Sequence, residues 1–233
     1  MLKIDAKKYL KILEFFAANK SNSTSQLFQD LFVLYFCQFK KKGYFVDIGA
    51  ADGFSYNNTF ILERKGWKGI VSEPLEVWHK KLKKRNCIKD FRCVYDKSNL
   101  NLSFSHVKDS PMLSGVSDDF LKDENHELRK NIITKKINTI SLNDLLIENK
   151  SPKDIDYISV DTEGSENKIL QSFSFEKFNV EIFTIEHNFV KEKRENIAEI
   201  MQKNGYVRIF VNLSGQDDWF LKSDNKVLKD ISI

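Results

Sequence analysis

The first forty residues carry two stretches in which apolar and polar positions follow the period of a helix. This pattern predicts helices over residues 5–19 and 25–39. The polar run 21–25 between them is rich in serine, and we expect it to supply the N-cap of the second helix. In the first stretch, the apolar positions are Tyr9, Leu10, Leu13, Phe16 and Ala17.

From residue 43 onward, short β-type runs alternate with stretches of helical period. The predicted strands cover residues 44–48, 70–72, 91–95, 102–107, 137–140, 155–160, 180–185, 206–213 and 218–221. The predicted helices cover residues 57–65, 75–84, 142–148, 165–173 and 193–204. Strand–helix–strand units join parallel neighbours by right-handed crossovers. The pattern therefore indicates a doubly wound, mostly parallel α/β sheet, to which the last hairpin adds one antiparallel strand.

Length and composition favour one globular unit. The 233 residues suit one domain, and a hydrophobic content of 41% is enough for one continuous core. We expect residues 1–42 to be a helical segment packed on a domain of residues 43–233. The formal net charge is +4, and its lysine clusters are typical of solvated surfaces, so no nucleic-acid partner is expected.

Cysteine usage and the N-terminal residues bear on the compartment. The three cysteines lack metal-ligand spacing, and their odd number argues against a fully paired disulfide framework. The N-terminal stretch has no long apolar run and no cleavage site of small residues. The sequence thus predicts a cytoplasmic protein without a membrane span. Peripheral membrane contact of the first helix stays open, and the oligomeric state is not predicted.

The first predicted strand ends in a glycine-containing turn. In a doubly wound sheet, ligands bind outside the carboxyl ends of the strands where strand order reverses. Gly49 and Gly53 would let the backbone approach a ligand closely, and Asp47 can accept a hydrogen bond from it. Glu73 ends the second strand, where an acidic side chain can take both hydroxyls of a ribose. The combination favours a nucleoside-containing ligand, although an ordinary turn and a solvated acid would give the same residues.

The residues around this turn distinguish between nucleoside cofactors. A dinucleotide fingerprint has a third glycine at the start of the helix, whereas residues 54–58 contain none. A pocket rimmed by Asp47, Asp52 and Glu73 suits a positively charged sulfonium better than an anionic dinucleotide. Asp96, after the third predicted strand, is a candidate for binding the adenine amino group, with a surface turn as the alternative.

Several segments, in order along the chain, resemble the FkbM-type methyltransferases, which depend on S-adenosylmethionine (SAM). In the first matching segment this family usually has glycine before Gln-Asp, where this chain has Phe28. The matching segments are SQLFQD (25–30), FVDIGAADG (45–53), NT (58–59), LE (62–63), GWKG (66–69), EP (73–74), IDYISVDTEGSE (155–166) and IEHN (185–188), with GY (205–206) and DWF (218–220) near the end.

The resemblance implies a Rossmann-like methyltransferase fold with a seven-stranded sheet and N-terminal helices. It implies SAM as the methyl donor and, usually, O-methylation of sugars or of sugar-bearing natural products. It also implies a cofactor site that includes residues of the matching segments, namely Gln29, Asp30, Ala50 and Asn58.

Polar side chains follow two later predicted strands. Asp161 and Glu163 come after the sixth strand, and Glu186 and His187 come at the end of the seventh. Because the carboxyl ends of parallel strands meet at one edge, we expect these side chains to face the methyl donor. Acids that favour a helix N-terminus and a hydrogen-bonded loop histidine are the structural alternatives.

Two mechanisms fit these residues, because a sugar hydroxyl is a weak nucleophile that must lose a proton. In the first, His187 or Glu163 takes the proton directly, beside Asp161. In the second, Asp161 and Glu186, together with His187 or Asn188, hold Mg²⁺ or Mn²⁺, which binds a diol. The second is similar to the arrangement of macrocin-type sugar O-methyltransferases.

The sequence therefore predicts a SAM-dependent O-methyltransferase that acts on a hydroxyl of a carbohydrate or glycosylated natural product. The expected partner is a small-molecule or glycan acceptor, and the irregular segment 109–131 is a candidate cover for it. The alternatives are methylation of a lipid, peptide or nucleic acid, and a non-methylating oxidoreductase or nucleotide-binding module.

Overall fold

The predicted alternation of strands and helices forms a central sheet in a computed structural model of the chain. The structure describes residues 4–119 and 125–232. The α-helices in these ranges are α1 (Ala6–Asn19), α2 (Gln29–Phe36), α3 (Phe60–Arg64), α4 (Glu76–Leu82), α5 (Leu142–Glu148), α6 (Glu166–Ser172), α7 (Lys191–Lys203) and α8 (Lys226–Ile231). The strands there are β1 (Tyr44–Ile48), β2 (Lys68–Ser72), β3 (Ile88–Asp90), β4 (Cys93–Tyr95), β5 (Asn101–Val107), β6 (Gly115–Val116), β7 (Ile132–Ser141), β8 (Asp154–Val160), β9 (Asn179–Glu186), β10 (Tyr206–Ile209) and β11 (Asp217–Lys222).

Seven strands form the main sheet in the order β10-β11-β9-β8-β1-β2-β3. β11 runs antiparallel to both of its neighbours, and the other neighbouring pairs are parallel. Strand order reverses between β1 and β8, so the ligand crevice of a doubly wound sheet lies at the carboxyl ends of these two strands. The predicted Rossmann-like fold, a mostly parallel seven-stranded sheet with an antiparallel C-terminal strand, is confirmed.

Successive residues of the central strands enter separate cores on the two faces of the sheet. Tyr157 of β8 packs in the cluster that contains α1 and α2, whereas its neighbour Ile158 packs in the cluster that contains α5, α6 and α7. Phe32 of α2 lies against Trp219 of β11, with ring centroids 4.8 Å apart. The N-terminal helices therefore complete one of the two cores.

A second sheet has the strand order β4-β7-β5-β6. The predicted strand 91–95 is wrong in its bounds, because β3 of the main sheet ends at Asp90 and β4 of the second sheet begins at Cys93. The chain turns between them, where Arg92 N donates to Asp90 Oδ1 at 3.0 Å. β7 is longer than the predicted strand 137–140. Its first residues are exposed and pair with β5 through backbone hydrogen bonds, so they show no hydrophobic pattern from which a strand could be predicted.

The serine-rich run before α2 supplies part of the predicted capping, because Ser25 Oγ accepts from Asp30 N in the first turn of the helix at 3.3 Å. The N-cap position itself is Phe28, whose φ of 66° is left-handed and whose side chain makes no capping hydrogen bond. The hydroxyls of Ser23 and Ser25 also donate to Asp30 Oδ1, at 2.6 and 2.8 Å. A left-handed backbone explains why the FkbM-type proteins usually have glycine at the position of Phe28.

Three further points concern helices. Helix α8 has no counterpart among the predicted elements. The sequence also indicates a short helix around residues 118–122, of which residues 120–122 lie outside the described residues. Residues 117–119 form a single 3₁₀ turn. Within residues 4–119 and 125–232, no helix combines the length and the apolar character that crossing a membrane requires.

Candidate active site

A cavity of about 370 Å³ opens at the carboxyl ends of β1, β2, β8 and β9. It lies where strand order reverses, at the edge where the sequence predicts a ligand. Its lining includes Gly49, Glu73, Asp161, Glu163 and Glu186.

The turn after β1 is pressed against the exit of β8. The amide of Gly49 donates to Ser72 O at 2.9 Å, and its φ is +83°. A Cβ at this position would lie 1.6 Å from the Asp161 carbonyl oxygen. Only glycine therefore fits between the two strand exits, and the backbone itself forms this part of the cavity wall.

Glu73 is fixed in the cavity wall by two backbone hydrogen bonds. Ala51 N donates to Oε2 at 3.0 Å, and Leu75 N donates to Oε1 at 2.8 Å. Burial raises the pKa of Glu73 to about 7, although these two bonds oppose the shift. Each carboxylate oxygen keeps a lone pair that can accept from a ligand hydroxyl.

Asp47 and Asp52 shape the turn from outside the cavity lining. Asp47 Oδ2 accepts from Asn57 Nδ2 at 2.9 Å and from Thr59 Oγ1 at 2.7 Å, and burial raises the pKa of Asp47. Asp52 accepts from the backbone N–H of Ser55 at 2.8 Å. Although burial opposes it, this and neighbouring hydrogen bonds lower the pKa of Asp52. Both carboxylates hold the loop that forms the cavity floor.

The N-terminal pair of predicted cofactor residues also lies behind the cavity. Gln29 Nε2 donates to Asp217 Oδ2 at 2.8 Å, which ties α2 to β11. Asp30 collects hydrogen bonds from the preceding polar run, including one from Thr24 N at 2.7 Å. As a result, Gln26 of that run is brought to the cavity wall.

The remaining predicted cofactor residues are buried or half-buried beside the cavity. Ala50 is buried, and Asn58 Nδ2 donates to Ser159 Oγ at 2.9 Å. Gly53 has a φ of +80°, and a Cβ there would lie 2.6 Å from Leu82 Cδ1. Asp96 follows β4, and its Oδ1 has no hydrogen-bond partner among the described residues. Among the predicted cofactor residues, Gly49 and Glu73 are the two that line the cavity.

Three carboxylates meet at the other end of the cavity. One oxygen from each of Asp161, Glu163 and Glu186 lies within 4.8 Å of the others. Burial and the neighbouring carboxylates raise the pKa of Asp161 and of Glu186 well above the usual range. Glu186 is 6% exposed, and its Oε2 has no hydrogen-bond partner among the described residues.

Two buried cations, which the sequence reasoning missed, balance part of this charge. Arg129 Nη2 lies 2.7 Å from Glu163 Oε2, and Lys193 Nζ lies 2.6 Å from Glu166 Oε2. Burial raises the pKa of Glu163 to about 7 in spite of Arg129. Although burial opposes it, Glu166 and Glu186 raise the pKa of Lys193. The Asp161–Glu186 pair lies between these ion pairs.

The structure does not bring His187 into the carboxylate cluster. Its side chain is fully buried, and its Nε2 lies 3.8 Å from Asp218 Oδ1. Its Nδ1 accepts from Phe189 N at 3.0 Å. Burial lowers the pKa of His187 to about 4. His187 belongs neither to the cavity lining nor to the cluster of Asp161, Glu163 and Glu186, so this geometry does not support its predicted role as a base or metal ligand.

The upper wall of the cavity is largely apolar. Met112, Leu113 and Val116 of the predicted covering segment line it, together with the half-buried Trp78 of α4. Two exposed aromatic side chains, Tyr56 and Phe189, belong to the same lining.

A family model described as the methyltransferase FkbM domain matches residues 47–208, well over half of the chain. The chain belongs to the FkbM methyltransferase family. The matched region contains both ends of the cavity, from Gly49 and Glu73 to Asp161 and Glu186. Family membership favours methyl transfer over the oxidoreductase and binding-module alternatives.

Comparison with individual proteins adds little to this assignment. No curated protein matches the sequence of this FkbM methyltransferase. It resembles the crystal structure of a putative RNA methyltransferase from Pyrococcus horikoshii, with 12% identity and a TM-score of 0.41 over 82% of this chain and 80% of that one. It also resembles a methyltransferase from Pyrococcus furiosus, with 12% identity and a TM-score of 0.36 over 93% of this chain and 97% of that one. Similarities of this size identify no acceptor.

Proposed function

We propose that this FkbM methyltransferase transfers the methyl group of SAM to a hydroxyl of a carbohydrate or glycosylated natural product. The observation that carries the proposal is that one cavity joins Glu73, suited to a ribose, to the carboxylates of Asp161 and Glu186. A donor nucleoside at the first end would direct its reactive group toward the second.

The residues at the Glu73 end fit the donor. The two oxygens of Glu73 are held in place from behind by backbone amides and can accept from two vicinal hydroxyls. Gly49 leaves room for close approach of the ligand to the backbone. The acidic character of the cavity suits a cationic sulfonium, which supplies an electrophilic methyl group when bound.

The residues at the other end fit a hydroxyl acceptor. Asp161 and Glu186 can accept a hydrogen bond from the hydroxyl and take its proton. Burial and mutual repulsion raise the pKa of the pair, so the ionised form of the pair is a stronger base than an ordinary carboxylate. The apolar side chains of Met112, Leu113 and Val116 keep water away from the reacting atoms.

The same carboxylates fit a divalent cation such as Mg²⁺ or Mn²⁺. Oxygen ligands of these ions lie about 2.1 Å from the metal, so two ligands on one ion are up to about 4.2 Å apart. The oxygens of Asp161, Glu163 and Glu186 lie within 4.8 Å of one another, so a small approach of these side chains would bring them to that spacing. Glu186 Oε2 lacks a hydrogen-bond partner among the described residues. A bound cation would acidify the acceptor hydroxyl. Glu163 would then exchange its contact with Arg129 for the ion.

Calorimetry with SAM and with NAD tests the donor, and labelled SAM with a panel of nucleotide sugars and free glycosides tests the acceptor. We expect SAM to bind, NAD not to bind, and label to appear on a glycoside. Binding of NAD without SAM would refute the proposal.

Two variants test the carboxylates. Asp161→Asn and Glu186→Gln should each lower turnover at least about tenfold while SAM affinity stays within about twofold. Calorimetric titration with Mn²⁺ should show binding to the wild-type protein and none to Glu186→Gln. Wild-type turnover in both variants would exclude a chemical role for this pair.

A further inference from the structure

Phe189 is an exposed aromatic side chain held on a strained backbone at the cavity. It is 55% exposed and lines the cavity. Its φ is 56°, and that of the preceding Asn188 is 49°, so two successive residues other than glycine adopt the left-handed conformation. A residue with a Cβ adopts this conformation only at an energetic cost. The exposed ring adds little to the stability of the fold, and aromatic side chains that line a cavity commonly contact its ligand.

Buried His187 fixes this strained turn. Its Nδ1 accepts from Phe189 N at 3.0 Å, and its carbonyl oxygen accepts from Val190 N at 2.9 Å. Since Nδ1 is an acceptor, the ring proton of the neutral imidazole is on Nε2, which faces Asp218 at 3.8 Å. His187 is therefore a positioning residue that holds Phe189 at the cavity.

The turn also places Phe189 beside the carboxylate cluster. Asn188 Nδ2 donates to Glu163 Oε2 at 3.2 Å. The Cα atoms of Asn188 and Phe189 are about 3.8 Å apart, as in any two adjacent residues. Phe189 is therefore the direct neighbour of a residue whose side chain contacts the carboxylate cluster. Phe189 and the three carboxylates line the same cavity.

We infer that Phe189 is the platform on which the ring of the acceptor stacks, and that the acceptor hydroxyl is carried by a pyranose. The inference rests on the proposed function and narrows its acceptor class. The C–H face of a pyranose is apolar and packs on an aromatic ring, while its hydroxyl edge turns toward Asp161 and Glu186. An open-chain polyol has the same hydroxyls but no flat face to stack.

Phe39 offers a matched control. It too is 55% exposed with a φ of 56°, but it does not line the cavity. Its ring packs on Phe15, with centroids 5.2 Å apart. Phe39→Ala thus removes an equally exposed aromatic side chain from an equally strained backbone, away from the proposed acceptor site.

The experiment is saturation-transfer NMR with methyl hexopyranosides on the protein loaded with S-adenosylhomocysteine, with sorbitol as the open-chain probe. We expect ring C–H signals for at least one pyranoside and none for sorbitol. The pyranoside signal should fall about tenfold in Phe189→Ala, return in Phe189→Tyr, and stay at the wild-type level in Phe39→Ala.

Three outcomes would overturn the inference: no pyranoside contact with the wild-type protein, an unchanged signal in Phe189→Ala, or an equal loss in Phe39→Ala. Calorimetry with SAM on the same samples separates this failure from that of the proposed function. If SAM binds but Phe189→Ala behaves as the wild type, the proposed stacking role of Phe189 is refuted and the assignment of SAM as the donor stands. If SAM does not bind, the proposed function itself fails.

Discussion

A side chain at Gly49 would collide with the backbone of Asp161, because a Cβ there would lie 1.6 Å from the Asp161 carbonyl oxygen. The two residues leave neighbouring strands, and Asp161 N donates to Ile48 O at 3.0 Å just before the strands separate. The donor end and the carboxylate end of the cavity are thus joined by direct backbone contact.

The first prediction concerns this contact. Gly49→Ala should lower the free energy of unfolding by more than about 4 kcal/mol, or abolish folding, because the clash adds to the cost of a left-handed alanine. Gly205→Ala is the control, since Gly205 has the same φ of +83° but a Cβ there would lie 4.0 Å from Ser223 Oγ, without a clash. Denaturant unfolding of both variants measures the difference. Equal losses would mean that the strand exits are not in contact.

The second prediction concerns the buried lysine of α7. Lys193→Met should lower the free energy of unfolding by about 3 kcal/mol, because it leaves the buried charge of Glu166 without its cation. Lys191→Met, two residues earlier, should change it by less than about 0.5 kcal/mol, since Lys191 is 87% exposed. Thermal unfolding of the two variants measures this. Similar stability of both would refute the buried ion pair.

The third prediction is a pH dependence that originates in Glu73. Its pKa is raised by burial from 4.5 to about 7, so between these values the folded protein keeps a proton that the unfolded chain releases. The stability of the wild type should therefore fall relative to Glu73→Gln as pH rises through this window, by roughly 3 kcal/mol in total. The difference between the two proteins, from denaturant unfolding at several pH values, isolates Glu73 from other groups. A constant difference would show that its carboxyl is not buried.

The fourth prediction concerns the left-handed residue before α2. Phe28→Gly and Phe28→Ala both remove the ring that lies 6.3 Å from Phe16. Glycine adopts the φ of 66° without the Cβ penalty, so the glycine variant should be more stable than the alanine variant by roughly 1 kcal/mol. Chemical denaturation decides between them. A more stable alanine variant would contradict the left-handed turn.

The main sheet could be predicted because its buried strands require apolar residues, which form a recognisable pattern in the sequence. β8 is buried on both faces from Tyr157 to Val160, and three of these four residues are apolar or aromatic. The second sheet could not be predicted in full, because the first part of β7 is exposed and its lysines and threonines carry no alternation of burial. The turn between β3 and β4 has a hydrogen bond from Arg92 N to the Asp90 side chain, a contact that hydrophobic periodicity does not reveal.

The sequence predicted the edge of the sheet at which the cavity lies, but not which side chains line the cavity. Successive residues of a strand point to opposite faces, so Glu186 at the cavity implies that His187 points away. The same alternation separates Asp47 from the cavity-lining Ile48. Lys193 had a signal in the sequence, since it precedes Ile197 and Met201 at helical spacing on the buried face of α7. Arg129 had no such signal, because it follows a long irregular segment whose path to the cavity cannot be predicted from hydrophobic periodicity.

The central claim is that the nucleoside of SAM lies against Glu73 with its methyl group toward Asp161 and Glu186. A crystal structure of the protein with SAM tests it most directly. We predict both ribose hydroxyls within about 3 Å of the Glu73 oxygens and the methyl carbon on the side of the carboxylate cluster. A nucleoside bound away from Glu73, or a methyl group directed away from the cluster, would contradict it.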